Sequence, residues 1–293
     1  MVRTILTWRI LGENLVGTCH VPTPGRAGGL SGAPSVGVLL LNAGPAPRSG
    51  NSDLSVRIGD RLALRGFPVF RFDFGGLGDS SGPTPKDLDA YWHEVLRGLN
   101  DDATAALLER IQREFGVARI VVGGLCAAAL PSVRALDRAG AALAGLILLE
   151  PSFRLAVPRT LEEERPLERI LARLRRRLPR GGRLRSLAHR LRPRLPRDVN
   201  RPIVARWQAN SALGLRSLVL LAADQATDRH VTRILESLPD PAASAVSCVR
   251  VPHTNHLFTV GEGCDAVVGA VERWVTENFG GHPASAARSG SRS

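Results

Sequence analysis

Six apolar, β-branched-rich runs, each bounded by turn residues and separated by longer amphipathic stretches, constrain the fold of this chain more than any other feature. They lie at 36–42 (VGVLLLN), 67–73 (FPVFRFD), 118–123 (ARIVVG), 144–150 (AGLILLE), 216–223 (RSLVLLAA) and 246–252 (VSCVRVP). A strand open to water on one side alternates apolar and polar residues. Runs this continuous are buried on both faces, which points to a mostly parallel sheet with helices on either side. Residues 3–21 read as an opening two-strand hairpin, and helices fit at about 52–65, 86–115, 127–139, 228–237 and 264–279.

The alternation is interrupted once, between Glu150 and Arg216. There Leu167, Ile170, Leu171, Leu174 and Leu178 fall on one helix face, and Leu184, Leu187 and Leu191 resume the pattern beyond Gly181 and Gly182. The expected organisation is therefore an α/β core over 1–152 and 214–279, an Arg-rich helical lid inserted at 153–213, and a small, polar, disordered tail at 280–293. No stretch reaches the roughly 20 apolar residues that a membrane-crossing helix needs. The opening MVRTILTWRILGENLVG puts Arg9, Glu13 and Asn14 where a signal peptide must be apolar, so a cytoplasmic location is expected.

Charge is concentrated in the insertion. Between Arg154 and Arg206 seventeen arginines face five acids, which accounts for the whole net charge of +12 and leaves a neutral body. The segment has few aromatics and no recognisable nucleic-acid module, so nucleic acid is the least favoured partner. An anionic acyl donor suits the bidentate geometry of Arg173, Arg176 and Arg177, either the phosphates of coenzyme A or an acidic acyl carrier protein. Peripheral contact with anionic lipid through the amphipathic helices is a further reading, and a plain solvated face is the bland one.

The four cysteines, Cys19, Cys126, Cys248 and Cys264, form no C-x-x-C pair and have no histidines at zinc-ligand spacing, so neither a disulfide framework nor a metal site is expected. No cofactor is implied. Cys126 alone has a chemical context. The run ARIVVG leads directly into Gly124-Leu125-Cys126-Ala127-Ala128 and then a helix-forming segment, the strand, turn and helix of a G-x-S-x-G nucleophile elbow with cysteine at the serine position. Gly124 supplies the small residue two before the nucleophile, and Ala128 stands where a second glycine is usual. Gly78-Asp79-Ser80-Ser81-Gly82 looks like a serine-protease signature but sits in the wrong architecture, and Gly75, Gly76 and Gly78 lack dinucleotide-site spacing.

A thiol nucleophile needs a base, and the loop after the last strand, Pro252-His253-Thr254-Asn255-His256-Leu257-Phe258, offers two. His256 is preferred because it directly precedes Leu257-Phe258 and the final helix, with His253 as the fallback. The acid that orients the imidazole is expected after the preceding strand, where LVLLAA ends in Asp224; Asp228 is the alternative.

With these residues in hand, LLLNAG, RGFPVFRFDFGGLGDSSG, GGLCAAA and TNHLF resemble the α/β-hydrolase superfamily over roughly residues 36–279, and in particular bacterial exosortase-system-associated hydrolases with a G-L-C elbow. The resemblance implies a Cys126, Asp224, His256 triad and an oxyanion hole built from the N–H of Ala127 and a second N–H on the loop after LLLNAG. Pro45 has no N–H to offer, so the second donor shifts to Ala46 or Gly44. The expected activity is cleavage of an ester or thioester through an acyl-cysteine intermediate. An acyltransferase that passes the same acyl group to an amine, alcohol or thiol is the alternative, and a non-catalytic binding protein on the same fold is the second.

Overall fold

A computed structural model of the chain describes residues 1–22, 35–155, 195–223 and 225–280. All the expected strands are present: β1 (Val2–Ile10), β2 (Glu13–Val21), β3 (Val36–Leu41), β4 (Val69–Phe72), β5 (Arg119–Leu125), β6 (Leu143–Leu149), β7 (Arg216–Ala222) and β8 (Val246–Val251). They form one eight-stranded sheet in the order β1-β2-β4-β3-β5-β6-β7-β8. The hairpin β1–β2 joins antiparallel to β4, and every pairing from β4 through β3 to β8 is parallel.

The continuous apolar runs are explained by two cores, one on each face. Leu39, Leu41, Val122, Leu146, Leu148, Val219 and Leu221 point to one side. Val38, Leu40, Val121, Ile147, Leu149, Leu218 and Leu220 point to the other. Period-two alternation thus sorts apolar residues between two buried faces instead of between core and solvent. Helix α1 (Leu54–Leu64) lays Leu54, Ile58 and Leu62 on the second face, where the last helix contributes Val267, Val271 and Trp274.

The first face is covered by α2 (Leu88–Arg97), α3 (Asp101–Phe115), α4 (Ala129–Arg134) and the short α5 (Leu136–Ala139). The single helix expected over 86–115 is two, because Gly98 adopts φ 104° and ends α2 in a left-handed cap. Asp87 caps the start of α2 by accepting from the Ala90 N–H.

Beyond β6 the structure moves the edge of the expected insertion. Helix α6 (Arg201–Ala212) belongs to the core: Asn200 caps it, Pro202 sits in its first turn, and Ile203, Val204 and Trp207 are buried. Trp207 stacks on Phe153 at 5.5 Å and donates from Nε1 to Ser217 Oγ at 3.0 Å. Both ends of the excursion are tied together by a bridge between Arg154 and Val199 and by the Arg154–Asp198 ion pair at 2.8 Å. Residues 153–155 and 195–213, expected in the lid, are thus built into the α/β body. The amphipathic helices expected within 156–194, and the tail from residue 281, lie outside the described residues. The chain then runs through α7 (Ala226–Glu236), α8 (Asp240–Ser244) and α9 (Gly263–Phe279). Among the described residues no helix is long and apolar enough to cross a membrane.

Candidate active site

Four parallel strands, β5 to β8, deliver their carboxyl ends to one edge of the sheet, where open α/β sheets place their ligands. Cys126 follows β5, Glu150 follows β6, Ala222 ends β7, and His256 lies on the loop after β8.

The elbow is held by close approaches that exclude larger residues. A Cβ on Gly123 would lie 1.9 Å from the Ile147 carbonyl, and one on Gly124 would lie 2.6 Å from the Leu41 carbonyl and 2.8 Å from Ala128 Cβ. Gly124 and Ala128, two before and two after the cysteine, therefore face each other across the turn. Between them Cys126 takes φ 55°, a left-handed conformation unfavourable for a residue with a side chain. Its thiol is half-buried, at the start of the turn Cys126–Ala128 that leads into α4.

The other three thiols lie away from this turn. Burial pushes Cys19 up to about 12 and raises Cys248 and Cys264 above the ordinary thiol value. Cys19 and Cys264 are buried and Cys248 is half-buried on β8, and a raised thiol is a poorer nucleophile.

The imidazole of His256 completes the site. Its Nδ1 is 2.8 Å from Glu150 Oε2, and the Cys126 side chain lies near enough to the ring to favour its protonated form. Burial disfavours the imidazolium, yet the hydrogen bonds and negative charges of Cys126 and Glu150 outweigh it and raise His256 to about 10. Glu150 is fully buried, with φ 44°, and its second oxygen accepts from the Ala222 N–H on β7. Thr227 Oγ1 stands 3.4 Å from the same Nδ1.

Of the residues expected from sequence, Cys126 and His256 are brought together. Asp224 lies outside the described residues. The carboxylate seen on His256 is Glu150, which the sequence reading treated only as the end of a strand. The signal was available: it is a lone acid closing the otherwise wholly apolar run AGLILL, immediately before Pro151. Asp228 is held elsewhere, by Arg250 Nε at 2.8 Å and Thr232 Oγ1 at 3.1 Å. His253 is exposed.

Ala127, the expected first oxyanion donor, directly follows Cys126 in the turn Cys126–Ala128. Ala46 is not poised as expected, because its N–H closes a turn onto the Ala43 carbonyl at 3.2 Å. Ala43 packs into the same apolar cluster as Cys126. The loop itself is braced from behind. Asn42 donates to the Ala46 carbonyl at 2.8 Å and to Asp73 Oδ1 at 3.2 Å, and the buried Asp73 also takes the Arg48 N–H at 2.5 Å. Arg173, Arg176 and Arg177 lie outside the described residues. Among the described residues no three His, Cys, Asp or Glu side chains are arranged to hold a metal.

Comparison with known proteins agrees with this architecture. The family model of the alpha/beta hydrolase fold matches residues 37–182. A solved structure from Xanthomonas campestris, described as an α/β serine hydrolase without lid, is 20% identical, with 96% of this chain and 97% of that one covered at a TM-score of 0.56. The Pyrococcus furiosus esterase Pf2001 is 13% identical over 95% of this chain and 94% of its own, with a TM-score of 0.59. A thioesterase domain from the curacin biosynthetic pathway is 12% identical over 92% and 99%, with a TM-score of 0.53. No curated protein matches by sequence. The eight-stranded sheet, its strand order and these matches together establish that the chain has the fold of the α/β-hydrolase superfamily.

Proposed function

We propose that this chain is a cysteine-dependent hydrolase that cleaves an ester or thioester, with Cys126 as nucleophile, His256 as proton carrier and Glu150 as the carboxylate that orients the imidazole. One observation carries the reading: His256 is hydrogen-bonded to a buried carboxylate and stands beside a half-buried thiol on a left-handed turn. A thiolate paired with an imidazolium is a competent nucleophile, and its charge is favoured at the start of a helical segment.

The sulfur of Cys126 attacks the acyl carbonyl, and the oxyanion so formed is stabilised by the Ala127 N–H. His256 gives its proton to the leaving alcohol or thiol as the carbon–leaving-group bond breaks, leaving an acyl-cysteine and a neutral imidazole. That imidazole takes a proton from water, whose oxygen attacks the thioester, and the proton returns to sulfur as the acid departs. Glu150 stays ionised and holds the Nδ1–H tautomer throughout. The G-L-C elbow is the part of the resemblance to exosortase-associated hydrolases on which this reading draws, and the esterase and thioesterase named among the structural neighbours fit the same reaction class. A donor carried on coenzyme A or an acyl carrier protein is proposed from Arg173, Arg176 and Arg177 by sequence alone.

The test is turnover of activated esters and acyl thioesters by the wild-type chain, Cys126→Ala and His256→Ala. Loss of turnover in both variants, with unchanged folding, supports the proposal. Full activity in Cys126→Ala refutes it, and a wild-type chain inert towards every acyl donor favours the non-catalytic binding protein. Added amines or alcohols that divert the product from the free acid identify acyl transfer as the reaction.

A further inference from the structure

Beyond the loop that flanks Cys126, a cavity of about 240 Å³ is lined by Thr18, Arg48, Ser49, Arg71 and Asp79 among others. Its unusual member is Arg71, on β4, only 4% exposed. A buried guanidinium is normally matched by a carboxylate, since desolvating a charge without a counter-ion is costly. Among the described residues Arg71 has none within ion-pair distance. It donates from Nε to His20 Nε2 at 2.8 Å and from Nη1 to the Arg48 carbonyl at 2.8 Å, both uncharged acceptors.

His20 is neutral by geometry, because Nε2 must carry a lone pair to accept from Arg71, while Nδ1–H points to Asp60 Oδ1 at 2.9 Å. Arg71 Nη2 takes no hydrogen-bond partner among the described residues. Burial and the charges of Arg48 and Arg3 depress Arg71 to about 10, the mark of a cation short of negative charge.

The nearby carboxylates are engaged by other cations. Asp60 is held by Arg3 and Asp73 by Arg48. Asp79 reaches Arg48 at 2.7 Å, but its side chain is 69% exposed and its charge is largely screened by water. The cavity therefore presents the Arg71 guanidinium and the Ser49 hydroxyl beside Arg48, whose Nε donates to Thr18 Oγ1 and whose Nη1 donates to the buried Asp73 and the loosely held Asp79, leaving its Nη2 for a ligand.

We infer that this cavity binds a phosphate-sized oxyanion, either free or as the end of a phosphomonoester, between the guanidiniums of Arg71 and Arg48. Arginine's planar fork suits such an oxyanion, and Asp79 competes with it for Arg48. Because Arg71 also holds the Arg48 carbonyl, the bound anion tightens the segment that continues into the Ala43–Ala46 turn.

The experiment is thermal unfolding of the full chain and calorimetric titration with inorganic phosphate, at ionic strength held constant with chloride. Wild type should show saturable binding and a Tm rise of roughly 5 °C at one hundred times Kd. Asp79→Asn, which removes the exposed competitor, should tighten binding several-fold. Ser49→Asp, which places a carboxylate in the cavity from its half-buried rim, should raise Tm without phosphate and abolish the response. Arg71→Gln should abolish it too if the variant folds, and Ser49→Asp keeps the test decisive if it does not. Tighter binding of glycerol 3-phosphate than of phosphate would assign the cavity to a monoester. The absence of saturable binding of both probes to wild type, or an undiminished response in Ser49→Asp, overturns the inference.

Discussion

Replacing Glu150 with glutamine isolates the role of the carboxylate, because size and shape hardly change while the hydrogen-bond inventory does. In the wild-type chain one oxygen takes the Ala222 N–H and the other faces His256 Nδ1. A glutamine offers one acceptor and one donor, so one of these partners must meet an N–H group. If the amide oxygen stays on Ala222, the amide nitrogen faces Nδ1 and demands the tautomer protonated at the other ring nitrogen, which cannot take a proton from Cys126. If it turns over, a backbone N–H is left buried and unpaired at a cost of about 1–3 kcal/mol. The wrong tautomer lowers kcat by about 10⁴-fold where a histidine depends on a buried acid, equivalent to about 5 kcal/mol of transition-state stabilisation. Removing the charge also removes one of the influences that raise His256, while burial continues to lower it, so the imidazole should titrate well below about 10. The assay is kcat and KM on an activated ester alongside the thermal unfolding midpoint, with imidazole titration followed by NMR. A folded Glu150→Gln that keeps activity within tenfold of wild type refutes the reasoning.

Other consequences follow from the same contacts. Gly124→Ala should destabilise the chain by about 1–3 kcal/mol and cut activity far more than that loss explains, because its Cβ meets the Leu41 carbonyl and Ala128; unfolding and turnover measured together check this. Asp228→Asn should leave turnover within twofold, since Asp228 bonds Arg250 and Thr232 and does not touch His256. Trp207→Ala should lose about 3–5 kcal/mol in denaturant unfolding, because the ring is fully buried against Phe153. Burial, reinforced by Arg71, holds His20 down at about 4 in the folded chain, so the neutral form contributes stability above pH about 6.5 that is lost as pH falls through 4. Up to about 3 kcal/mol is at stake at that fully buried ring, and His20→Gln should flatten the pH dependence of unfolding in that window.

Most of the fold was legible because the inner strands β3, β6 and β7 each carry a run such as LILL or LVLL with no polar interruption, while β4 and the edge strand β8, interrupted by Arg71 and by Ser247 and Arg250, follow from their place in the alternation. The elbow at Cys126 was legible for the same reason, since its strand, turn and helix are contiguous in sequence. The contacts of Glu150 were not legible because they come from register: β6 lies beside β7, so that a residue one step past Leu149 meets Ala222, and neither that contact nor the one to His256 is local. Helix α6 was hidden by composition. Arg201 and Arg206 continue the basic run, and only burial of Ile203, Val204 and Trp207 separates this helix from the insertion before it. Ala46 followed from the missing N–H of Pro45, but the turn back to Ala43 is a backbone property that composition does not carry.

Covalent trapping asks the central question directly. The chain is quenched in acid during turnover of a slow acyl thioester and its peptides are mapped by mass spectrometry. The account predicts one acyl group, on Cys126, which forms far more slowly when His256 is replaced by asparagine and the thiol loses its imidazolium partner. An acyl group on Ser132, Ser152 or any other side chain, with the sulfur of Cys126 unmodified, contradicts it.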